Sequence, residues 1–120
     1  MKNPLLEFDL ILVVGDPART YPPYNIVAVD DNTFEIELAV AGFSETDISV
    51  QTVGDKLTIV GERPQDERNY LHKGISTRKF KSIFRLDPGV TISGADLSDG
   101  VLTVFLQYSE PEPTKIPLKK

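Results

Sequence analysis

The chain contains no cysteine, no tryptophan, one methionine and one histidine in 120 residues. Without cysteine there is no thiolate nucleophile, no disulfide staple and no thiolate metal site, and a lone histidine leaves little room for imidazole chemistry. A chain that makes no use of disulfides suits a reducing compartment, so a cytoplasmic location is expected. Nor does any apolar run approach the roughly 18–20 residues needed to cross a bilayer. The longest, Leu10-Ile11-Leu12-Val13-Val14, follows Glu7 and Asp9 rather than a basic stretch, and neither a membrane span nor a secretory signal is expected. At this length one domain can bury about two-thirds of its extended-chain surface, and two separate cores would not fit.

The formal charge of -5 is unevenly spread. Residues 1–60 hold 3 basic and 10 acidic side chains, and residues 61–120 hold 10 and 8. The densest basic stretch, Lys73, Arg78, Lys79, Lys81 and Arg85, has no acid between 73 and 86. The chain as a whole is acidic and no aromatic-rich RNA-binding signature accompanies this stretch, so nucleic acid is not an expected partner. It reads as a solvated strand face or half of an intersubunit charge pair.

Nine prolines and eight glycines punctuate the sequence, and the stretches between them are rich in β-branched and aromatic residues with a period of two. That pattern predicts an all-β fold. In Thr33 to Val40, Phe34, Ile36, Leu38 and Val40 project to one face and Glu35 and Glu37 to the other. Asp30-Asp31-Asn32 supplies turn chemistry before it, so Tyr24–Val29 and Thr33–Val40 form a hairpin. Gly54-Asp55 joins 47–53 to 56–60, and Ser98-Asp99-Gly100 joins 94–97 to 101–108, the second with an Asp-Gly pair suited to positive φ. Ser76–Leu86 is expected as one long strand, closed by Asp87-Pro88-Gly89. A short helical turn is expected at Ser44-Glu45-Thr46-Asp47, where the spacing resembles a capping box. About seven strands in 24–108 are enough for two packed sheets. Residues 1–23 form an N-terminal arm, extended or helical, and 109–120 an extended tail held out of helix and central strand by Pro111, Pro113 and Pro117. Arg63–Asn69 is a polar surface excursion.

No acid, base, nucleophile or metal set stands at a recognisable spacing. His72 lies in a polar connection, and an ordinary surface or interface histidine outweighs a general base there. Asp30 and Asp31 fit a turn better than a cation loop, because no further acids recur at the required spacing. The glycines at 89 and 94 precede no helix that could present its amino terminus to a phosphate. No catalytic residue, cofactor or metal is therefore expected. In the tail, Pro117 biases Ile116 towards an extended conformation, so that Ile116 and Leu118 point the same way. Such a segment can lie along a sheet groove with two side chains in adjacent pockets, or can be a loose tail with two incidental apolar residues.

Taken in order, several motifs resemble the small heat-shock proteins with an α-crystallin domain, most closely the bacterial inclusion-body-binding class. They are Tyr21-Pro22-Pro23-Tyr24-Asn25, Val40-Ala41-Gly42-Phe43, Leu57-Thr58-Ile59-Val60-Gly61-Glu62-Arg63, Tyr70-Leu71-His72-Lys73-Gly74-Ile75, Ala95 through Leu102, and Ile116-Pro117-Leu118. The resemblance covers roughly 21–118. It implies an immunoglobulin-like sandwich, the α-crystallin domain, that dimerises by exchanging a strand from the loop around 62–75, with Tyr70, Leu71 and Ile75 in that loop. It also implies that Ile116 and Leu118 dock in a neighbour's groove, lined by Ile48, Val50 and Ile92, to build a homo-oligomer from dimers. The implied activity is ATP-independent capture of unfolding client proteins, with Leu5, Leu6, Phe8, Leu10, Ile11 and Leu12 of the arm as client contacts. Two other functions fit a sandwich of this size: a co-chaperone or adaptor bound to one folded partner, and an assembly subunit that protects no client. Three departures from the family pattern stand out: Ser82 where an arginine of the dimer ion pair is common, Asp87 where a proline often follows, and an arm of only 23 residues before Tyr24. Arg78, Lys79 or Lys81 could take over the ion pair.

Overall fold

A computed structural model describes residues 10–15, 21–75 and 77–119. Two antiparallel four-stranded sheets face each other. The first has the order β1 (Ile11–Val13), β6 (Phe80–Leu86), β5 (Lys56–Gly61), β4 (Ile48–Val53). The second has the order β2 (Tyr24–Ala28), β3 (Thr33–Ala39), β8 (Val101–Tyr108), β7 (Val90–Ser98). The alternation read in the sequence supplies the core between them. Phe34, Ile36 and Leu38 of β3 and Leu102, Val104 and Leu106 of β8 meet Leu57 and Ile59 of β5 and Phe80, Phe84 and Leu86 of β6, all buried. The edge-on packing of Tyr24 against Phe84, with ring centres 5.5 Å apart, fixes β2 over β6.

Local chemistry closes the turns as anticipated. Asp99 and Gly100 both take positive φ, 54° and 76°, as a tight two-residue hairpin demands. Asp30 Oδ1 accepts from the Asn32 amide, which also holds its carboxyl below the ordinary value. At Glu45–Asp47 a single 3-10 turn is capped by the Asp47 carboxylate, which accepts from both the amide and the hydroxyl of Ser44. Those bonds, the Ser44 amide first, lower the pKa of Asp47.

Three expectations change. Residues 11–13 pair with β6 in the register Ile11 to Leu86 and Val13 to Phe84, and Pro22 is fully buried, so parts of the 1–23 segment belong to the sandwich. The long strand begins at Phe80 rather than near residue 76, because its partner β5 ends at Gly61, opposite Phe80. Finally, β7 runs from Val90 to Ser98, well beyond 94–97, with a register shift between Ile92 and Gly94. That bulge breaks the two-residue period on which the shorter reading depended.

Candidate assembly surfaces

The edges of the sandwich carry apolar side chains that the chain itself does not cover. On the β4 edge, register pairs Ile48 with Gly61 and Val50 with Ile59, so both point inward with the buried Ile59, yet remain only half-buried. Ile92 holds the equivalent position on β7, paired with the buried Leu106. All three pack on the core from its open side. Between the β4–β5 turn and the start of β7 lies a cleft of about 500 Å³, bordered by Thr52, Gly54, Leu86, Val90 and Ile92. Ile48 and Val50 stand further along β4, outside that cleft. Leu97 is a further half-buried apolar residue on the inward face of β7. Residue alternation alone does not mark it, because the bulge upstream shifts the two-residue period.

Ile116 and Leu118 lie in a tail without regular structure over residues 109–119 and are 78% and 96% exposed. Among the described residues no part of the chain buries them, and Pro117 between them restricts the segment towards extended backbone.

The segment 62–79 leaves the sheet at Gly61 and returns at Phe80. Its apolar residues face water: Leu71 is fully exposed, Ile75 is 77% exposed and Tyr70 is also exposed. A polar knot holds the bend. The Arg68 guanidinium donates to both oxygens of Asp66, at 2.8–3.2 Å, and Tyr70 donates its hydroxyl to the same carboxylate. Arg68 and Lys73 each sit over the Tyr70 ring, 5.1 and 5.3 Å from its centre. These contacts hold the Asp66 carboxyl well below the usual carboxylate range, Arg68 first among them, and push the Tyr70 hydroxyl up through its bond to Asp66. A space of about 680 Å³ separates the loop from Ala41–Phe43.

The three cations considered for an intersubunit ion pair are placed differently. Arg78 stacks on the Tyr21 ring at 4.1 Å, Lys79 pairs with Glu62 at 3.6 Å and Lys81 stands on the outward face of β6. Ser82 faces the core beside Phe80 and Phe84; it is buried and its hydroxyl has no hydrogen-bond partner among the described residues.

Of the expected client contacts, Leu10 and Ile11 are buried, 6% and 2% exposed, and are thereby withdrawn from a free surface. The reason is the β1–β6 ladder, extended by bonds from the Val14 amide to Ile83 and from the Asp87 amide to Leu10. Leu12, on the alternate face, is exposed. Leu5, Leu6 and Phe8 lie outside the described residues. His72 is exposed, and no group of three or more potential metal ligands occurs among the described residues. No helix among them is long and apolar enough to cross a membrane.

Residues 26–119 match the model of the Hsp20/alpha crystallin family. The small heat shock protein IbpB of Escherichia coli is 39% identical over 98 residues, which span 80% of this chain and 69% of IbpB. A C-terminally truncated small heat shock protein AgsA from Salmonella typhimurium superimposes with a TM-score of 0.70 at 25% identity, over 82% of this chain and 100% of that one. The small heat shock protein of Synechococcus phage S-ShM2 gives a TM-score of 0.65 at 32% identity, over 84% and 99%.

Proposed function

Because the chain belongs to the Hsp20/alpha crystallin family, a family of chaperones rather than enzymes, we propose that it is an ATP-independent cytoplasmic holdase that assembles from dimers and captures unfolding proteins. One observation carries the reading: the chain presents an unburied aliphatic pair on its tail and half-open apolar edges on the sandwich. Ile116 and Leu118 of one copy fill the β4–β7 edge of another, against Ile48, Val50 and Ile92. Burial of each side chain favours the contact by roughly 1.5–3 kcal/mol, at small ordering cost because Pro117 has already restricted the segment. The loop 62–79 reaches from the sandwich with Tyr70, Leu71 and Ile75 uncovered, a form suited to strand exchange with a partner copy. A monomeric adaptor would have no use for so much uncovered aliphatic surface outside its core.

Clients expose apolar surface as they unfold, and covering it requires no energy source beyond the hydrophobic effect itself. Leu12, with the arm residues Leu5, Leu6 and Phe8, is assigned to that contact. The test is light scattering of a heat-unfolding model protein, with and without this chain and without nucleotide, alongside the native mass of the assembly. Suppressed scattering at equal subunit concentration is expected. Unchanged scattering by a chain that still forms a large oligomer would favour an assembly subunit without client protection.

A further inference from the structure

Charge is partitioned between the two sheets without exception in their strands. The strands β1, β4, β5 and β6 contain Lys56, Lys81 and Arg85 and no carboxylate. The strands β2, β3, β7 and β8 contain Glu35, Glu37 and Asp96 and no lysine or arginine. Register turns all six outward. Leu57, Ile59, Phe80 and Phe84 fill the core, so the alternate positions Lys56, Thr58, Val60, Lys81, Ile83 and Arg85 form the outer face of the first sheet. On the second, Glu37 lies between Asn25 and Thr103, Asp96 beyond Thr103, and Glu35 between Val27 and Phe105.

Each face therefore mixes one sign of charge with half-buried apolar side chains: Val60 and Ile83 among the cations, Val27, Val101 and Phe105 among the acids. Gathering like charges on one sheet is unfavourable in an isolated copy. Lys56 and Arg85 stand directly opposite one another across β5 and β6, where like charges destabilise, and among the described residues it is Arg85 that gains a nearby acid, Asp55 at 3.7 Å. The complement of each face is the other. Apart from Leu12, which pairs with Arg85 at the β1 rim of the basic face, the contacts assigned above use strand edges, the loop and the tail, and leave both outer faces open.

We propose that the basic outer face of one copy stacks on the acidic outer face of a second copy. The contact is head to tail, so each added copy leaves one face of each sign free. Its size limits its strength. Four strands about 4.8 Å apart and about six residues long at 3.3 Å give a face of roughly 300 Å². That is well short of the roughly 800 Å² per partner of a standard interface. The stacking therefore acts between copies already held close by other contacts, through their high effective concentration, and in this it rests on the assembly proposed above.

The absence of cysteine allows a direct test. Thr58→Cys and Thr103→Cys place single thiols at the centres of the basic and acidic faces in two otherwise unaltered full-length chains. The two chains are mixed and treated with a short bismaleimide. The mixed cross-link should exceed either self cross-link several-fold beyond the statistical ratio, and should disappear in about 1 M salt, where the screening length is about 3 Å. Adding Lys56→Glu and Lys81→Glu to the first chain should abolish it, as should adding Glu35→Lys and Glu37→Lys to the second; combining the two altered chains should restore it. A statistical product ratio in a large oligomer, or no restoration, would overturn the stacking alone. A dimer-sized native mass in the same mixture would strike down the assembly and the stacking with it. Salt-sensitive binding of a short DNA duplex, lost on Lys56→Glu and Lys81→Glu, would assign the basic face to a polyanion and overturn the proposal.

Discussion

Gly61 and Phe80 face one another across β5 and β6 so closely that a Cβ on residue 61 would stand 2.2 Å from Phe80 Cε1. These are also the last and first strand residues on either side of the loop 62–79, so the contact is the clasp at the root of that loop. Phe80 is held from other sides by edge-on contacts with Phe43 and Tyr21, at 5.3 and 6.2 Å. It has little freedom to retreat. Gly61→Ala should destabilise the sandwich by about 1–3 kcal/mol, the range for overpacking a dense core. Urea unfolding measures this; an unchanged midpoint would show that Phe80 moves aside freely.

Ile116→Ser together with Leu118→Ser should leave the fold and its β signature intact while the native mass falls from a large oligomer towards a dimer. The tail lies outside both sheets, so only the contact between copies loses its apolar burial, roughly 1.5–3 kcal/mol per side chain and repeated at every tail. Light scattering coupled to size exclusion, at low micromolar concentration, reads the mass. Retention of the wild-type mass would remove the tail from the assembly.

The buried Ser82 hydroxyl, without a partner, carries a desolvation cost that nothing returns. Ser82→Ala should therefore stabilise the chain by about 1 kcal/mol, seen as a higher urea midpoint at unchanged slope. A loss of stability would mean that the hydroxyl is bonded in solution.

Ile11 and Leu12 are neighbours with opposite fates, one in the core and one in water. Ile11→Ala should cost about 2–5 kcal/mol, as large-to-small changes in cores do, although the shortness of β1 favours the lower end. Leu12→Ala should change stability by less than about 0.5 kcal/mol and should instead weaken protection of a model client. Equal effects on stability would mean that β1 does not hold its register on β6.

The Asp66–Arg68–Tyr70 knot should be insensitive to pH until strong acid is reached. A carboxyl whose pKa is depressed by its contacts contributes fully above the ordinary aspartate value near 3.9, and its contribution is lost as pH falls through the lower, folded-state value. The Arg68 amide, which donates to Asp66 Oδ1 at 3.0 Å, reports this through its chemical shift. Its midpoint should lie below 3.9, and Asp66→Asn should abolish the transition. A midpoint at or above the ordinary value would show the knot open in solution.

Whatever depends on neighbours along the chain follows from the order of residues alone. The alternation of Phe34, Ile36 and Leu38 marks the core face of β3 because strand geometry sends every second residue the same way. Asp99-Gly100 marks its turn because few residues accept positive φ, and Ser44 and Asp47 mark their cap because the partners are three residues apart. The motifs at 57–63 and 95–102 carried the family for the same reason. What the sequence left open turns on partners far away. Ile11 is core and not arm because Leu86, 75 positions on, offers it an edge. Phe80 begins its strand where Gly61 ends another, and the bulge after Ile92 resets the alternation that would have revealed Leu97. The separation of Lys56, Lys81 and Arg85 from Glu35, Glu37 and Asp96 shows the limit most plainly. Lysine-rich and acidic stretches can be counted in the chain, but their assembly into two faces of opposite sign is a property of sheet order, which hydrogen bonds between distant strands decide.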